Sequence, residues 1–95
     1  MKNNNEPQMT EESIRAIFEP MIQLLLKKNA DYGGASFDLG STGNMVHLWD
    51  KVRRYRSLTE SKREGNFESV KDTLHDIIGY SVIGIHILDL EKQNG

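Results

Sequence analysis

Three acidic residues in the last third of the chain are spaced so that they would line one face of a helix. Glu68, Asp72 and Asp76 follow one another at steps of four residues, and side chains four residues apart are neighbours on a helix surface. Their like charges repel one another unless cations neutralise them. The carboxylates could therefore hold a magnesium ion, or accept hydrogen bonds from a base or a ribose. They could equally pair with basic side chains of another helix, and the sequence leaves both interpretations open.

Basic residues are concentrated in the middle of the chain. The stretch from Lys51 to Arg63 holds six positive residues and one negative residue, although the net charge of the whole chain is −2. Because ammonium and guanidinium groups suit phosphate oxygens, we predict that Lys51 and Arg54 bind phosphate. An ordinary solvated face is the alternative. Since the cluster is short and the chain is acidic, no binding to duplex nucleic acid is expected.

Glycine and aromatic residues share an irregular section, residues 29–43, which contains four of the eight glycines. Loops of this length in small domains are usually functional or disordered, and Tyr32 and Phe37 can pin this one to the helices. Its last residues lead into a helix N-terminus, where anion binding is favourable. Turns that need positive φ values are the alternative. We predict an ordered loop in which Asp31 and Tyr32 close the site.

Helical patterns flank this loop on both sides. Thr10 is a suitable N-cap for a first helix that runs to about Lys28, and Pro20 is expected to kink or split that helix. A second helix is predicted from about residue 44 to residue 58, and a third from residue 66 to residue 90. Since no alternating strand pattern is present, the chain is predicted to be all-α, a three-helix domain with a long Gly-rich ordered loop between helices one and two.

The domain organisation follows from these boundaries. Residues 1–9 are predicted to be a flexible arm, residues 10–91 a single helical domain, and residues 92–95 a frayed tail. The absence of cysteine excludes disulfides and thiol nucleophiles and fits a reducing cytoplasm. No stretch is long and apolar enough to span a membrane.

The third helix is apolar on nearly all sides from Ile77 onward, so it is expected to be buried. A chain this short buries only about 60–65% of its unfolded surface. We therefore predict that the third helix completes its core by forming a homo-oligomer. Gly79 and Gly84 lie inside this helix and each costs about 1 kcal/mol relative to alanine. That cost indicates close approach by another helix or by a ligand.

Three short patterns, taken together, resemble a known family. The first is Lys28-Asn29-Ala30-Asp31-Tyr32-Gly33, the second is Lys51 with Arg54, and the third is Glu68-x-x-x-Asp72-Thr73-Leu74-x-Asp76. This set is similar to the small phage "nucleotide modification associated" domain family. The resemblance covers most of the chain and implies a phage setting, hence the host cytoplasm, and the handling of a nucleotide. It also adds Lys28 to the predicted ligand-binding residues.

The acid-bearing helix is more loosely similar to the all-α nucleotide pyrophosphohydrolases of the MazG type. Those enzymes carry acidic pairs on two helices around magnesium, whereas only one helix of this chain has clustered carboxylates.

The sequence supports three hypotheses. The leading one is a protein that binds a small nucleotide or nucleotide-derived signal, which in a phage could sequester a host antiviral messenger. The predicted ligand-binding residues are Lys28, Asp31, Tyr32, Lys51, Arg54, Asp72 and Asp76. The second hypothesis is a magnesium-dependent nucleotide phosphohydrolase, with Glu68, Asp72 and Asp76 holding the metal. The third is an interaction module without a small ligand. Whether a ligand is hydrolysed is left open.

Overall fold

Three α-helices and one short 3₁₀ helix make up the protein. The computed structural model describes residues 6–38, 40–61 and 66–94. Within them α1 spans Glu11–Tyr32, the 3₁₀ helix spans Gly33–Phe37, α2 spans Gly40–Ser61 and α3 spans Asn66–Asn94. The predicted all-α, three-helix class is confirmed. The first five residues of the predicted arm, and two cations of the basic stretch, Lys62 and Arg63, lie outside the described residues.

The first helix begins where the sequence predicts it. The Thr10 side chain accepts a hydrogen bond from the Ser13 backbone amide at 3.0 Å, and the Ser13 hydroxyl accepts one from the Thr10 amide at 2.9 Å. This reciprocal pair satisfies two of the amides that a helix N-terminus leaves without partners. Glu11 and Glu12 in the first turn add negative charge at the positive end of the helix dipole. The N-terminus of α1 is therefore fixed by local chemistry.

The irregular section predicted for residues 29–43 is mostly helical. The first helix continues to Tyr32 and ends at Gly33, whose φ of 58° lies in the left-handed region that glycine adopts readily. The 3₁₀ helix follows at once, and α2 already begins at Gly40. The long Gly-rich loop is thus replaced by one short turn of 3₁₀ helix. Pro20 lies inside α1 without splitting it into two helices.

The second and third helices pair antiparallel along much of their length. The Asn44 side chain donates a 2.8 Å hydrogen bond to the Tyr80 carbonyl oxygen, and Lys51, further along α2, meets Asp76, which lies earlier in α3. A Cβ atom on Gly84 would lie 2.5 Å from the Asn44 side-chain oxygen, so any larger residue there would have to displace the Asn44 side chain. The prediction that Gly84 marks a close approach by another helix is confirmed, and that helix is α2.

The first helix rests on α3 beside the other glycine. A Cβ atom on Gly79 would lie 3.4 Å from Leu25 and 4.0 Å from Met21. Among the described residues, Met21 is the one α1 side chain that is buried, at 4% exposure. The contact between α1 and α3 is therefore narrow.

The face of α3 that its own chain covers carries small residues. Thr73, Gly79 and Ile87 are buried, whereas Ile85 is 61% exposed and Leu88 is 57% exposed. Small residues let α1 and α2 approach closely, so the branched apolar side chains are left on the open side of the helix. Burial of the third helix on most sides is accordingly not achieved within one chain. The same helix continues to Asn94, past the predicted boundary of the tail.

Among the described residues, no helix is both long enough and apolar enough to cross a membrane.

Candidate functional site

A cleft of about 410 Å³ opens where α1, the 3₁₀ helix, α2 and α3 come together. This volume lies within the range of about 300–1,000 Å³ that is usual for small-molecule sites. Its apolar floor includes Met21 and Leu25 from α1 and Ile83 from α3. Its polar and aromatic rim is made by Lys28, Asn29, Tyr32, Ser36, Phe37, Lys51, His75, Asp76 and Tyr80. An apolar floor with a few converging polar groups is typical of a ligand site.

The cations and the carboxylate of this cleft come from three different helices. Lys28 reaches it from α1, Lys51 from α2 and Asp76 from α3. The Lys51 ammonium lies 3.0 Å from an Asp76 carboxylate oxygen, and the two side chains are 29% and 35% exposed. An ion pair of this exposure contributes modestly to stability, on the order of 1 kcal/mol or less. It leaves the remaining donors of the ammonium able to meet a ligand.

Aromatic side chains line two sides of the cleft. Tyr80 stacks on His47, with ring centroids 5.1 Å apart and planes inclined by 5°. Phe37 meets the edge of His86 at 6.5 Å, and Tyr32 is 65% exposed. Stacking fixes the Tyr80 ring, whereas the exposed Tyr32 ring is available to cover a planar group.

A smaller hollow of about 210 Å³ adjoins the cleft. Tyr32, Ser36 and Tyr80 line both spaces, while Asn44 and His47 line only the smaller one. The shared residues mean that a ligand longer than the cleft would extend toward the stacked His47 and Tyr80 rings.

Four of the seven predicted ligand-binding residues line the cleft. These four are Lys28, Tyr32, Lys51 and Asp76. The other three, Asp31, Arg54 and Asp72, do not line it, and all three are exposed. Arg54 lies one helical turn beyond Lys51 on α2, and Asp72 lies one turn before Asp76 on α3. On α2, Lys51 lines the cleft and Arg54 is exposed to solvent. On α3, Asp76 lines the cleft and Asp72 is exposed to solvent.

Four polar residues that the sequence did not single out as ligand-binding also line the cleft. Asn29 follows Lys28 at once, Ser36 lies in the 3₁₀ helix, His75 precedes Asp76, and Tyr80 lies four residues after Asp76. The spacing of Tyr80 was a usable signal, because a residue four positions after a site residue shares its helix face.

The acidic row of α3 does not gather into a metal site. Asp76 pairs with Lys51, and Glu68 and Asp72 are exposed. Within the described parts of the chain, no three histidine or acidic side chains are grouped so that they could hold a metal ion. Magnesium binding, which the spacing of these residues suggested, therefore stays a prediction.

The basic residues of α2 divide into separate roles. Lys51 enters the cleft, whereas the Arg56 guanidinium binds Glu60 at 3.0 Å within the same helix. Arg53 and Arg54 are exposed. From Lys51 to Arg56, the described cations therefore do not form one continuous patch, and Lys51 is the one that lines the cleft.

The part of the chain that contains most of the cleft residues matches a known protein family. The family model described as Nucleotide modification associated domain 1 matches residues 28–88, nearly two thirds of the sequence. That match begins at Lys28 on the cleft wall and includes Lys51 and Asp76. Comparisons with curated proteins and with solved structures gave no significant match. The chain belongs to the Nucleotide modification associated domain 1 family.

Proposed function

We propose that this protein binds a small nucleotide or nucleotide-derived molecule in the cleft between its three helices. The observation that carries the proposal is the convergence of Lys28, Lys51 and Asp76, which are far apart in sequence, on one cavity with aromatic walls. Membership of a nucleotide-modification-associated family supports the same class of ligand.

Each part of the cleft matches a part of a nucleotide. The Lys28 and Lys51 ammonium groups would donate to phosphate oxygens, because charge-assisted hydrogen bonds are the strongest that side chains offer. Tyr32 would stack on the base. Asn29 and the free oxygen of Asp76 would accept hydrogen bonds from base or ribose edges. The Lys51–Asp76 pair holds both side chains at the cleft before a ligand arrives, which lowers the ordering cost of binding.

Binding without hydrolysis is the form of this function that the side chains favour. The cleft offers one carboxylate, and that carboxylate is paired with a lysine. In a phage, a protein of this kind would act by holding a host antiviral nucleotide messenger away from its receptor. The alternative is a magnesium-dependent phosphohydrolase, which the spacing of Glu68, Asp72 and Asp76 along α3 favours.

The test compares Lys51→Met with Arg53→Met in calorimetric titrations of a panel of nucleotides. Both changes remove one positive charge from α2, but only Lys51 lines the cleft. Loss of one charge-assisted hydrogen bond, about 1.5–3 kcal/mol, should raise the Kd at least tenfold in Lys51→Met. The Arg53→Met protein should bind like the wild type.

A second experiment with the same nucleotides distinguishes binding alone from hydrolysis. After incubation with and without Mg²⁺, the protein is denatured by heat and the released molecule is identified by mass spectrometry. Intact ligand supports binding alone, whereas a product that disappears in Asp72→Asn supports the phosphohydrolase. Unchanged affinity in both Lys51→Met and Lys28→Met, with helical content preserved by circular dichroism, would remove the cleft from the site.

A further inference from the structure

The chain leaves an unusually large surface uncovered. Its accessible surface is 8055 Å², whereas a compact monomer of its mass, 10.9 kDa, exposes about 5,600 Å². Its radius of gyration is 16.3 Å, against about 12.4 Å expected for a compact domain of this length. Among the described apolar side chains, Met21 and Ile87 are the two that are buried. The excess surface, about 2,400 Å² per chain, includes the exposed residues 6–10 and the residues outside the described ranges, so only part of it is available to a partner. One side of a large obligate interface buries about 1,000–2,500 Å².

Part of this surface is a regular apolar row on α3. Its residues follow alternating steps of four and three: Leu74, Ile78, Ser81, Ile85 and Leu88. That spacing is the a and d pattern of a two-stranded coiled coil. Ile85 and Leu88 are more than half exposed. We refer to these five residues as the α3 seam.

The second helix carries a shorter row of the same kind. Met45, Trp49 and Val52 are spaced by four and then three residues, and they are 63%, 65% and 45% exposed. At about 100° per residue, this row is turned about 100° from Asn44, the α2 residue that meets α3. The α3 seam is turned by a similar angle from Thr73, which is buried at 1% exposure. Because the two helices run antiparallel, both rows lie on the same side of the α2–α3 pair.

The first helix covers the opposite side of that pair. Its contacts with α3 are made at Gly79, which lies about 140° around the helix from the centre of the seam. No described segment of the chain is therefore available to cover the seam and the α2 row.

We infer that a second copy of this chain covers this face, with the two α3 helices packed antiparallel and Ser81 at the two-fold axis. In this register Ile78 opposes Ile85 of the other copy, and Leu74 opposes Leu88 of the other copy. The small Ser81 lets the helices approach closely at the centre. Its hydroxyl is already satisfied, because it donates to the Ile77 carbonyl oxygen at 2.8 Å.

The helix dipoles favour the antiparallel arrangement, because they oppose each other in it. Lys71 and Lys92 extend the seam by one step at either end. Each would face its own copy in a parallel pair, and Lys71 would face Lys92 of the other copy in the antiparallel pair, so the lysine charges do not distinguish the two arrangements. In the antiparallel pair, Glu91 of the other copy also lies at the level of Lys71.

Single cysteines test both the partner and the register, because the chain has none of its own. Ser81→Cys should form a disulfide between copies under mild oxidation, since the axis brings the two residues together. Leu88→Cys alone should not, because its two copies would lie about 21 Å apart along the helices. Mixing Leu88→Cys with Leu74→Cys should restore cross-linking between the two variants. Gln23→Cys, on the exposed surface of α1, is the control for random collision.

Sedimentation equilibrium gives the independent readout. The wild type should sediment at twice 10.9 kDa, or as a larger assembly in which Ser81→Cys still links chains in pairs. Ile85→Asp should lower the mass while circular dichroism reports whether helix remains. A wild type that stays at the single-chain mass with Ser81→Cys not cross-linked overturns the inference. Self-linking of Leu88→Cys would overturn the antiparallel register.

Discussion

At the residue scale, the Lys51–Asp76 pair carries both a structural and a functional role. The two side chains join α2 to α3 at 3.0 Å and also line the cleft. The sequence suggested two readings of the acidic and basic helices, mutual pairing or ligand binding, and this pair is compatible with both. With about a third of each side chain exposed, the pair remains in contact with water that a ligand could displace.

The tightest steric constraint at this scale is the contact between Gly84 and Asn44. A methyl group at Gly84 would meet the Asn44 side-chain oxygen at 2.5 Å, and Asn44 is only 9% exposed. Gly84→Ala should therefore displace the amide and break its hydrogen bond to Tyr80. We expect a loss of about 1–2 kcal/mol in the free energy of unfolding, after allowing for the better helix propensity of alanine.

Urea denaturation measures this loss against a matched change. Gly34→Ala is the control, because nothing lies within 4 Å of its added methyl group and its φ is not positive; it should change stability by about 0.5 kcal/mol or less. Adding Asn44→Ala to Gly84→Ala should cost less than the sum of the two single changes. Strict additivity would show that the two residues are not coupled.

At the element scale, α1 is the helix most dependent on its own cap. It is held against α3 by a narrow contact around Met21, and it contains Pro20, which weakens a helix interior. Thr10→Ala removes one side of the reciprocal cap and should destabilise α1 by about 1 kcal/mol.

Hydrogen exchange locates the effect of Thr10→Ala. Amides in the first turns of α1 should exchange faster, while those of the α2–α3 pair should be unchanged. Thr59→Ala, a change of the same kind at an exposed position in the last turn of α2, should leave the α1 amides as they are in the wild type. Equal acceleration in all three helices would indicate that α1 is not separately stabilised.

The sequence predicted the start of α1 better than its end, and the reason is physical. The start depends on Thr10 and Ser13, which are three residues apart. The end depends on Gly33 taking a φ of 58°, which a cluster of glycines permits without requiring. The predicted irregular section was too long because glycine was read there as disfavouring helix, whereas α2 begins at a glycine.

For a related reason, the sequence did not predict which face of α3 meets its own chain. From Ile77 onward this helix is apolar on almost every side, so periodicity does not distinguish the face that meets its own chain from the face that remains open. Close packing against Asn44 and Leu25 selects the side that carries Gly79 and Gly84. The lining of the cleft was predicted only in part for the same reason. Residue type pointed to Lys51, Arg54, Asp72 and Asp76 alike, and the packing of α2 on α3 brings Lys51 and Asp76 to the cleft.

At the scale of the whole molecule, we expect the exposed apolar surface to make stability depend on protein concentration. If two chains associate through the α3 seam, dilution favours the separated and less stable chains. The Tm of the wild type should therefore rise by on the order of a few degrees for each tenfold increase in protein concentration. Differential scanning calorimetry over a concentration series measures this directly.

Ile85→Asp serves as the comparison for that series. A charge placed in the seam should lower the Tm and abolish its dependence on concentration, because a buried carboxylate without a partner is unfavourable. A wild-type Tm that is constant across the series would contradict association through this face.

The narrow attachment of α1 has a consequence for how the cleft would respond to an occupant. One wall, with Lys28, Asn29 and Tyr32, belongs to the helix that is least tied to the rest. A ligand that contacted both walls would connect α1 to the other helices. The stability of α1 would then depend on ligand binding, and the affinity for the ligand would depend on the stability of α1. Loosening the cap at Thr10 should then weaken binding from a distance, and a bound guest should slow amide exchange throughout α1 without any new contact between protein side chains.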